Sequence, residues 1–294
     1  REEIEFMFNG SIVAMVTPFK DGEVDYDKLG ELVQYHIDNG TNAIIPCGTT
    51  GESPTLTHRE HGEVIGKVIE AAAGRIPVIA GTGSNNTSEA VSMTRHAKET
   101  GADGSLIITP YYNKPTQQGI YEHYKAILEE VDIPIIVYNV PSRTGVSISA
   151  ETVARLAEFD NIVAIKEATG DIDQASQILN MCDITVLSGD DSLTLPIMSI
   201  GGKGVVSVLA NILPREVSEL TSSFLKGEIK NAQRLHNSLF PVCKAMFIET
   251  NPISVKTAMK LLGRLNGEMR LPLCDMSDEH KRQLKIALEK YGLV

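Results

Sequence analysis

The chain has 294 residues, 42% of them hydrophobic and 22% charged, ordinary globular values that exclude a largely disordered polypeptide. Its formal net charge is −11 with no cluster of lysines and arginines, which argues against nucleic acid and anionic membrane surfaces as partners. No apolar run approaches the roughly 18 residues that cross a bilayer.

Residues 1–6 precede Met7 and are read as an N-terminal extension, without the apolar stretch of a signal peptide. The first predicted strand is SIVAMV (11–16). Asp25 then caps a helix with Leu29, Leu32, Val33 and Ile37 on one face, closed by Gly40. NAIIP (42–46) is the second strand, and Thr57-His-Arg-Glu60 opens the second helix as a capping box. The third strand, IPVIA (76–80), leads to a helix that starts at Asn86, with Glu89 at capping-box spacing, and stops at Gly101. Strands SLIIT (105–109), IPIIVYN (133–139), NIVAIK (161–166), ITVLSG (184–189) and GVVSV (204–208) follow. The helices between and after them are predicted to start near Thr116, Ser149, Ile172, Asp191 and Pro214. After Gly227 the strand signals stop, and 228–249, 253–262 and 277–291 read as helices.

Each strand is near-continuously apolar, as parallel strands covered on both faces are. Eight strands alternating with eight helices is the count of a (β/α)8 TIM barrel. The open, doubly wound alternative finds no G-x-G-x-x-G after the first strand. The expected organisation is therefore an α/β barrel over 7–227 and a C-terminal three-helix domain over 228–294 that packs on the barrel and contacts other subunits. Cys47, Cys182, Cys243 and Cys274 are widely spaced and form no C-x-x-C pair. A zinc ribbon or dithiol centre is not expected, and scattered thiols fit a reducing compartment, the cytoplasm.

Such barrels place their chemistry at the C-terminal ends of strands. Lys166 ends NIVAIK and, by period-2 alternation, shares a side with Ala164 and Ile162. Burial in such surroundings favours a neutral amine, the nucleophile that forms a Schiff base with a carbonyl. The competing reading is a lysine that snorkels from a strand end to pair with Glu167 or Asp190. Tyr138 ends the neighbouring strand, close enough for its phenol to move protons, although a tyrosine there also packs well. Gly48-Thr-Thr-Gly-Glu52 offers amides and hydroxyls in a tight turn suited to a small carboxylate. Arg143 lies beyond strand five, where a guanidinium can hold a carboxylate or simply face water. His58 and His61 are three apart with no third ligand nearby, and no catalytic metal is expected.

TTGES, PYYNKP, YNVPSRTG, IKEATG and LSGDD occur in that order along the chain. This ordered set resembles the pyruvate-dependent class I aldolases of the dihydrodipicolinate synthase family, from about Phe8 over nearly the whole chain. The resemblance implies that Lys166 forms an imine with pyruvate, whose enamine adds to L-aspartate 4-semialdehyde and leads to 4-hydroxy-tetrahydrodipicolinate, the first committed step to lysine and diaminopimelate. It implies no cofactor. By the same resemblance Tyr138, Thr49 and Tyr112 are the proton relay, with Tyr112 reaching the neighbouring subunit, so that a homodimer is the functional unit and a homotetramer the expected assembly. Thr50 is implied to bind the pyruvate carboxylate, Gly189 and Val206 to line that pocket, and Arg143 to receive the carboxylate of the aldehyde substrate. Ser53, Pro54, His58, His61, Asn85, Glu89 and Tyr111 match an inhibitory lysine site, with Pro54 standing where some relatives have alanine. An N-acetylneuraminate lyase or another keto-sugar-acid aldolase is the alternative, and Arg143 speaks for the synthase. Both substrates are anions and the chain is acidic, so local donors rather than net charge must capture them.

Overall fold

The computed structural model describes residues 8–294. The expected extension over residues 1–6, and Met7, lie outside the described residues. Eight parallel strands form one sheet: β1 (Gly10–Ala14), β2 (Ala43–Ile45), β3 (Ile79–Gly81), β4 (Gly104–Ile108), β5 (Ile135–Asn139), β6 (Ile162–Glu167), β7 (Thr185–Ser188) and β8 (Gly204–Ser207). Their order is β2-β1-β8-β7-β6-β5-β4-β3. Ile44 bridges Val78 just ahead of β3, and Gly81 N donates to Pro46 O at 3.0 Å, which joins the two ends of the sheet into a barrel.

Between successive strands lie α1 (Tyr26–Asp38), α2 (His58–Ala72), α3 (Thr87–Thr100), α4 (Gln117–Glu130), α5 (Ala150–Leu156), α6 (Ile172–Met181) and α7 (Thr194–Ser199), and α8 (Pro214–Leu225) follows β8. The capping chemistry is local and mostly as expected. Asp25 accepts from Lys28 N, and Thr57 and Glu60 form both halves of a capping box, each satisfying an orphan amide. The third helix departs from this. Asn86 accepts from Ser88 N, but Glu89 does not return to the cap; its carboxylate accepts from Ser84 Oγ and pairs with His58.

Ile12, Ala14, Ala43, Ile45, Ile79, Leu106, Ile136, Ala164, Leu187 and Val206 fill the barrel interior with Phe8 and Tyr138. The alternate residues of the strands face the helices. On β6 the expected alternation fails at one place. The register shifts by one residue where Ile162 is opposite Ile135 and Ala164 opposite Ile136, so Val163 is the extra residue of a bulge. Ile162 therefore packs with Ile165 in the outer layer, while Ala164 lies in the inner cluster and Val163 packs against it.

Three helices follow α8: α9 (Ile229–Ala245), α10 (Ile253–Leu261) and α11 (Asp278–Tyr291). Leu235, Leu239, Val242, Val255, Met259, Leu284 and Leu288 share one continuous core with Val13, Leu29, Val64 and Leu220 of the barrel layer. This segment also inserts a charge. Lys256 of α10 and Glu52, at the end of the turn after β2, form an ion pair in which both side chains are wholly buried. The Lys256 ammonium also donates to Glu268 O at 2.9 Å and lies 4.3 Å from the Phe19 ring centroid, while Arg270 N donates to Glu52 Oε2 at 3.1 Å. Burial pushes the Lys256 ammonium down, and Glu52 opposes that shift.

Removing one partner of such a pair strands the other charge in the interior. Lys256→Met should cost about 3–5 kcal/mol in urea denaturation, and adding Glu52→Gln should restore part of it. A single substitution costing under about 1 kcal/mol would show that the pair is solvated rather than buried.

Candidate active site

The β5–β6 ladder places Tyr138 opposite Lys166, and the β6–β7 ladder places Leu187 opposite the same lysine. Lys166 Nζ lies 4.0 Å from the centroid of the Tyr138 ring. The two side chains are 5% and 6% exposed, so the ammonium–ring contact is made largely away from water. Of the two competing partners expected for Lys166, Glu167 is otherwise engaged. Glu167 accepts from Asn139 Nδ2 at 3.0 Å and from Thr169 N at 2.8 Å, and burial pushes its carboxyl up. Burial also pushes up Asp190, an effect that the positive charges of Lys166 and Lys244 oppose. Neither carboxylate forms an ion pair with Lys166 among the described residues.

The turn after β2 runs from Cys47 to Glu52. Gly51 N and Ser53 N donate to Gly48 O at 3.1 and 3.4 Å, and Glu52 N donates to Thr49 O at 3.1 Å. Cys47 and Glu52 both take left-handed backbone angles, φ 56° and 54°, which non-glycine residues adopt only where the surroundings impose them. The surroundings do. A Cβ on Gly81 would stand 2.3 Å from Cys47 O, so only glycine lets β3 pass this close. Thr17 Oγ1 donates to Gly51 O at 2.7 Å, and the Glu52–Lys256 pair holds the far end. Thr50 is buried, and its Oγ1 accepts from Asn251 Nδ2 at 2.9 Å.

Arg143 sits on a single helical turn, Pro141–Thr144, after β5. It is exposed, and its Nη2 donates to Asn251 O at 3.1 Å. At the end of β7, Gly189 N donates to Glu167 O at 2.7 Å; a Cβ there would lie 2.4 Å from Ala168 Cβ. Val206 faces the barrel interior beside Leu187.

A cavity of about 420 Å³ opens at this face of the barrel. Thr49, Tyr138 and Arg143 line it together with Ser53, Pro54, His58, His61, Glu89 and Tyr111. Two sets of residues expected to serve different ligands thus share one wall. His58 Nε2 lies 2.8 Å from Glu89 Oε1, and the buried His61 donates from Nε2 to Gly81 O at 2.9 Å. Burial pushes the His61 imidazole down, against the pull of that carbonyl. Lys166 touches the lining residue Tyr138 without itself lining the cavity, and Thr50, Gly189, Val206 and Asn85 do not line it either. Asn85 is fixed beside it through its carbonyl, which accepts from Asn113 Nδ2 at 2.9 Å.

Tyr112 does not line the cavity either, and unlike the others it faces solvent. It is 87% exposed with φ 71°, its amide donating to Thr144 O at 3.3 Å. Sequence reasoning missed Asn251 and Lys256. The only local signal was an Asn-Pro step between two helices, which reads as a turn.

A closed (β/α)8 barrel with a buried lysine on β6, a tyrosine facing it from β5 and an amide-rich turn on β2 defines the class I aldolase type of barrel. The chain belongs to the Dihydrodipicolinate synthetase family, whose model matches residues 7–291. It is 58% identical over 290 residues to the 4-hydroxy-tetrahydrodipicolinate synthase of Aquifex aeolicus, covering 98% of this chain and 99% of that one. The crystal structure of dihydrodipicolinate synthase from Aquifex aeolicus superposes with a TM-score of 0.96 at 57% identity, covering 97% and 99% of the two chains. The enzyme from Cyanidioschyzon merolae with lysine bound superposes with a TM-score of 0.95 at 44% identity, covering 98% and 99%.

The turn is also tied down from outside. Arg270 donates to Thr55 O at 3.0 Å and forms a two-pronged ion pair with Glu60, holding that carboxyl down at about 2. A carboxyl lowered from 4.5 contributes stability that is fully present above pH 4.5 and is lost as pH falls toward about 2. Arg270→Gln should therefore lower Tm at neutral pH and flatten its decline between those two pH values. An unchanged acid limb would mean that Glu60 is not held by Arg270.

Proposed function

We propose that this chain condenses pyruvate with L-aspartate 4-semialdehyde through a Schiff base on Lys166, giving 4-hydroxy-tetrahydrodipicolinate. The observation that carries the reading is the placement of Lys166 against Tyr138 at the mouth of a barrel whose rim also presents the Thr49–Thr50 turn and Arg143. The family membership supports it independently.

The lysine amine adds to the keto carbon of pyruvate and water leaves, forming the imine. Loss of a methyl proton gives the enamine, whose carbon bonds to the aldehyde carbon of the semialdehyde as the aldehyde oxygen takes up a proton. The amino group of the added substrate then attacks the imine carbon, closing the ring and releasing the lysine. Tyr138, Thr49 and Tyr112 are proposed to move these protons. Thr50 takes the pyruvate carboxylate, Gly189 and Val206 bound its pocket, and Arg143 takes the carboxylate of the semialdehyde. A guanidinium at this rim suits a second carboxylate better than the hydroxyls of a sugar acid, and nothing in the site favours the lyase alternative.

The exposure and left-handed backbone of Tyr112 support a homodimer as the functional unit, and a homotetramer is proposed as the assembly. The cavity stretch from Ser53 and Pro54 through His58, His61 and Glu89 to Tyr111, with Asn85 beside it, is proposed as a site for inhibitory lysine. There the paired Glu89 carboxylate would receive the ligand amine. The barrel over 7–227 is proposed as the catalytic domain and 228–294 as its helical support. Among the described residues no helix is long and apolar enough to cross a membrane. A cytoplasmic setting is proposed with the biosynthetic role.

Borohydride added with pyruvate should give one covalent adduct, on the peptide containing Lys166, and Lys166→Ala should give none; an adduct elsewhere would reassign the nucleophile. Arg143→Ala should raise KM for the semialdehyde by about tenfold or more, the value of one charge-assisted hydrogen bond, while pyruvate trapping stays within about threefold. Equal losses in both would make Arg143 structural.

A further inference from the structure

Asn251 touches both proposed carboxylate positions, and it does so with different groups. Its side-chain Nδ2 donates to Thr50 Oγ1 at 2.9 Å, and its main-chain oxygen accepts from Arg143 Nη2 at 3.1 Å. The residue is 6% exposed, and its Oδ1 is buried without a hydrogen-bond partner. An orphan buried carbonyl is costly, and an apolar side chain would fill the same space without it. Packing therefore does not account for an amide here.

A threonine hydroxyl has one proton and two acceptor lone pairs. Asn251 occupies one lone pair of Thr50, so the proton must point elsewhere. No group among the described residues accepts it, which leaves the Thr50 O–H directed at whatever anion enters the turn. Two residues along, the buried Glu52–Lys256 pair anchors the end of the same turn.

We propose that Asn251 is a positioning residue for the pyruvate carboxylate: its amide proton fixes Thr50 as a donor toward the ligand, while its main-chain carbonyl separately steadies Arg143 for the second carboxylate. This rests on the reading above in which Thr50 receives pyruvate.

Because the two roles use different atoms, side-chain substitution should separate them. The readout is the pyruvate concentration that half-saturates borohydride trapping on Lys166, with KM for the semialdehyde measured alongside. Asn251→Ala and Thr50→Val should each raise the half-saturating pyruvate by about tenfold, with semialdehyde KM within about threefold. The double variant should lose no more than the worse single one, since the amide acts only through the hydroxyl. Asn251→Asp keeps the shape but replaces the donor with an acceptor, and should be worse than Asn251→Ala. A packing role predicts the opposite order, additive losses and a parallel fall in kcat, and any of these would overturn the proposal. If Asn251→Ala does not fold, the isosteric Asp variant alone decides, since trapping at the unmutated pyruvate concentration contradicts the proposal. Failure of the unmutated protein to trap pyruvate at all would instead overturn the proposed function.

Discussion

The parallel register of β5 against β6 sets Tyr138 opposite Lys166, and the rest of the site is arranged around that pair. Side chains alternate across a strand, so a slip of one residue would send Lys166 into the helix layer and Ile165 into the barrel. The bulge at Val163 lies below the reactive end, and above it the ladder runs evenly through Ala164, Ile165, Lys166 and Glu167. Closing the sheet fixes this register from both sides, because β6 also pairs with β7. A lysine on a loop could swing to Glu167 or Asp190. On a central strand its stem is confined, and the Glu167 carboxylate is taken up by Asn139 and Thr169.

The second requirement is a rigid turn after β2, and the far end of the chain supplies the rigidity. Three residues from beyond the barrel proper reach the β2 turn: Asn251 at Thr50, Lys256 at Glu52, and Arg270 at Glu52, Thr55 and Glu60. Of these, the Lys256 charge is wholly buried, on the helix whose Val255, Ala258 and Met259 lie in the core shared with the barrel helices. The appendage thus does more than cover apolar surface. It determines where the strained turn from Cys47 to Glu52 can sit, and a turn with two left-handed non-glycine residues needs such constraints.

Much of this was legible in the sequence because it is local. The apolar runs marked all eight strands, and Asp25, Thr57 and Glu60 marked helix starts through hydrogen bonds spanning three residues. Lys166 and Tyr138 were legible as strand ends on an alternating face. Ile162 misled because a bulge interrupts alternation without leaving a trace in the apolar pattern. Glu89 misled because a carboxylate at capping distance found a better partner in His58 on another helix. Asn251 was invisible for a different reason: its partner lies 201 residues away, and nothing near an Asn-Pro step reports a contact at that range. Lys256 reads as an ordinary helix lysine until Glu52 is placed beneath it. Tyr112 was legible as a motif residue, but its exposure at the rim was not, because a motif gives no burial.

The central claim is that one lysine on β6 receives pyruvate while the β2 turn holds its carboxylate. A crystal structure of the protein soaked with pyruvate tests this most directly. The account predicts unbroken density from Lys166 Nζ to the keto carbon, with the carboxylate against Thr50 and the methyl carbon facing open space toward Arg143. Pyruvate bound without a bond to Lys166, or with its carboxylate away from the threonine turn, would contradict it.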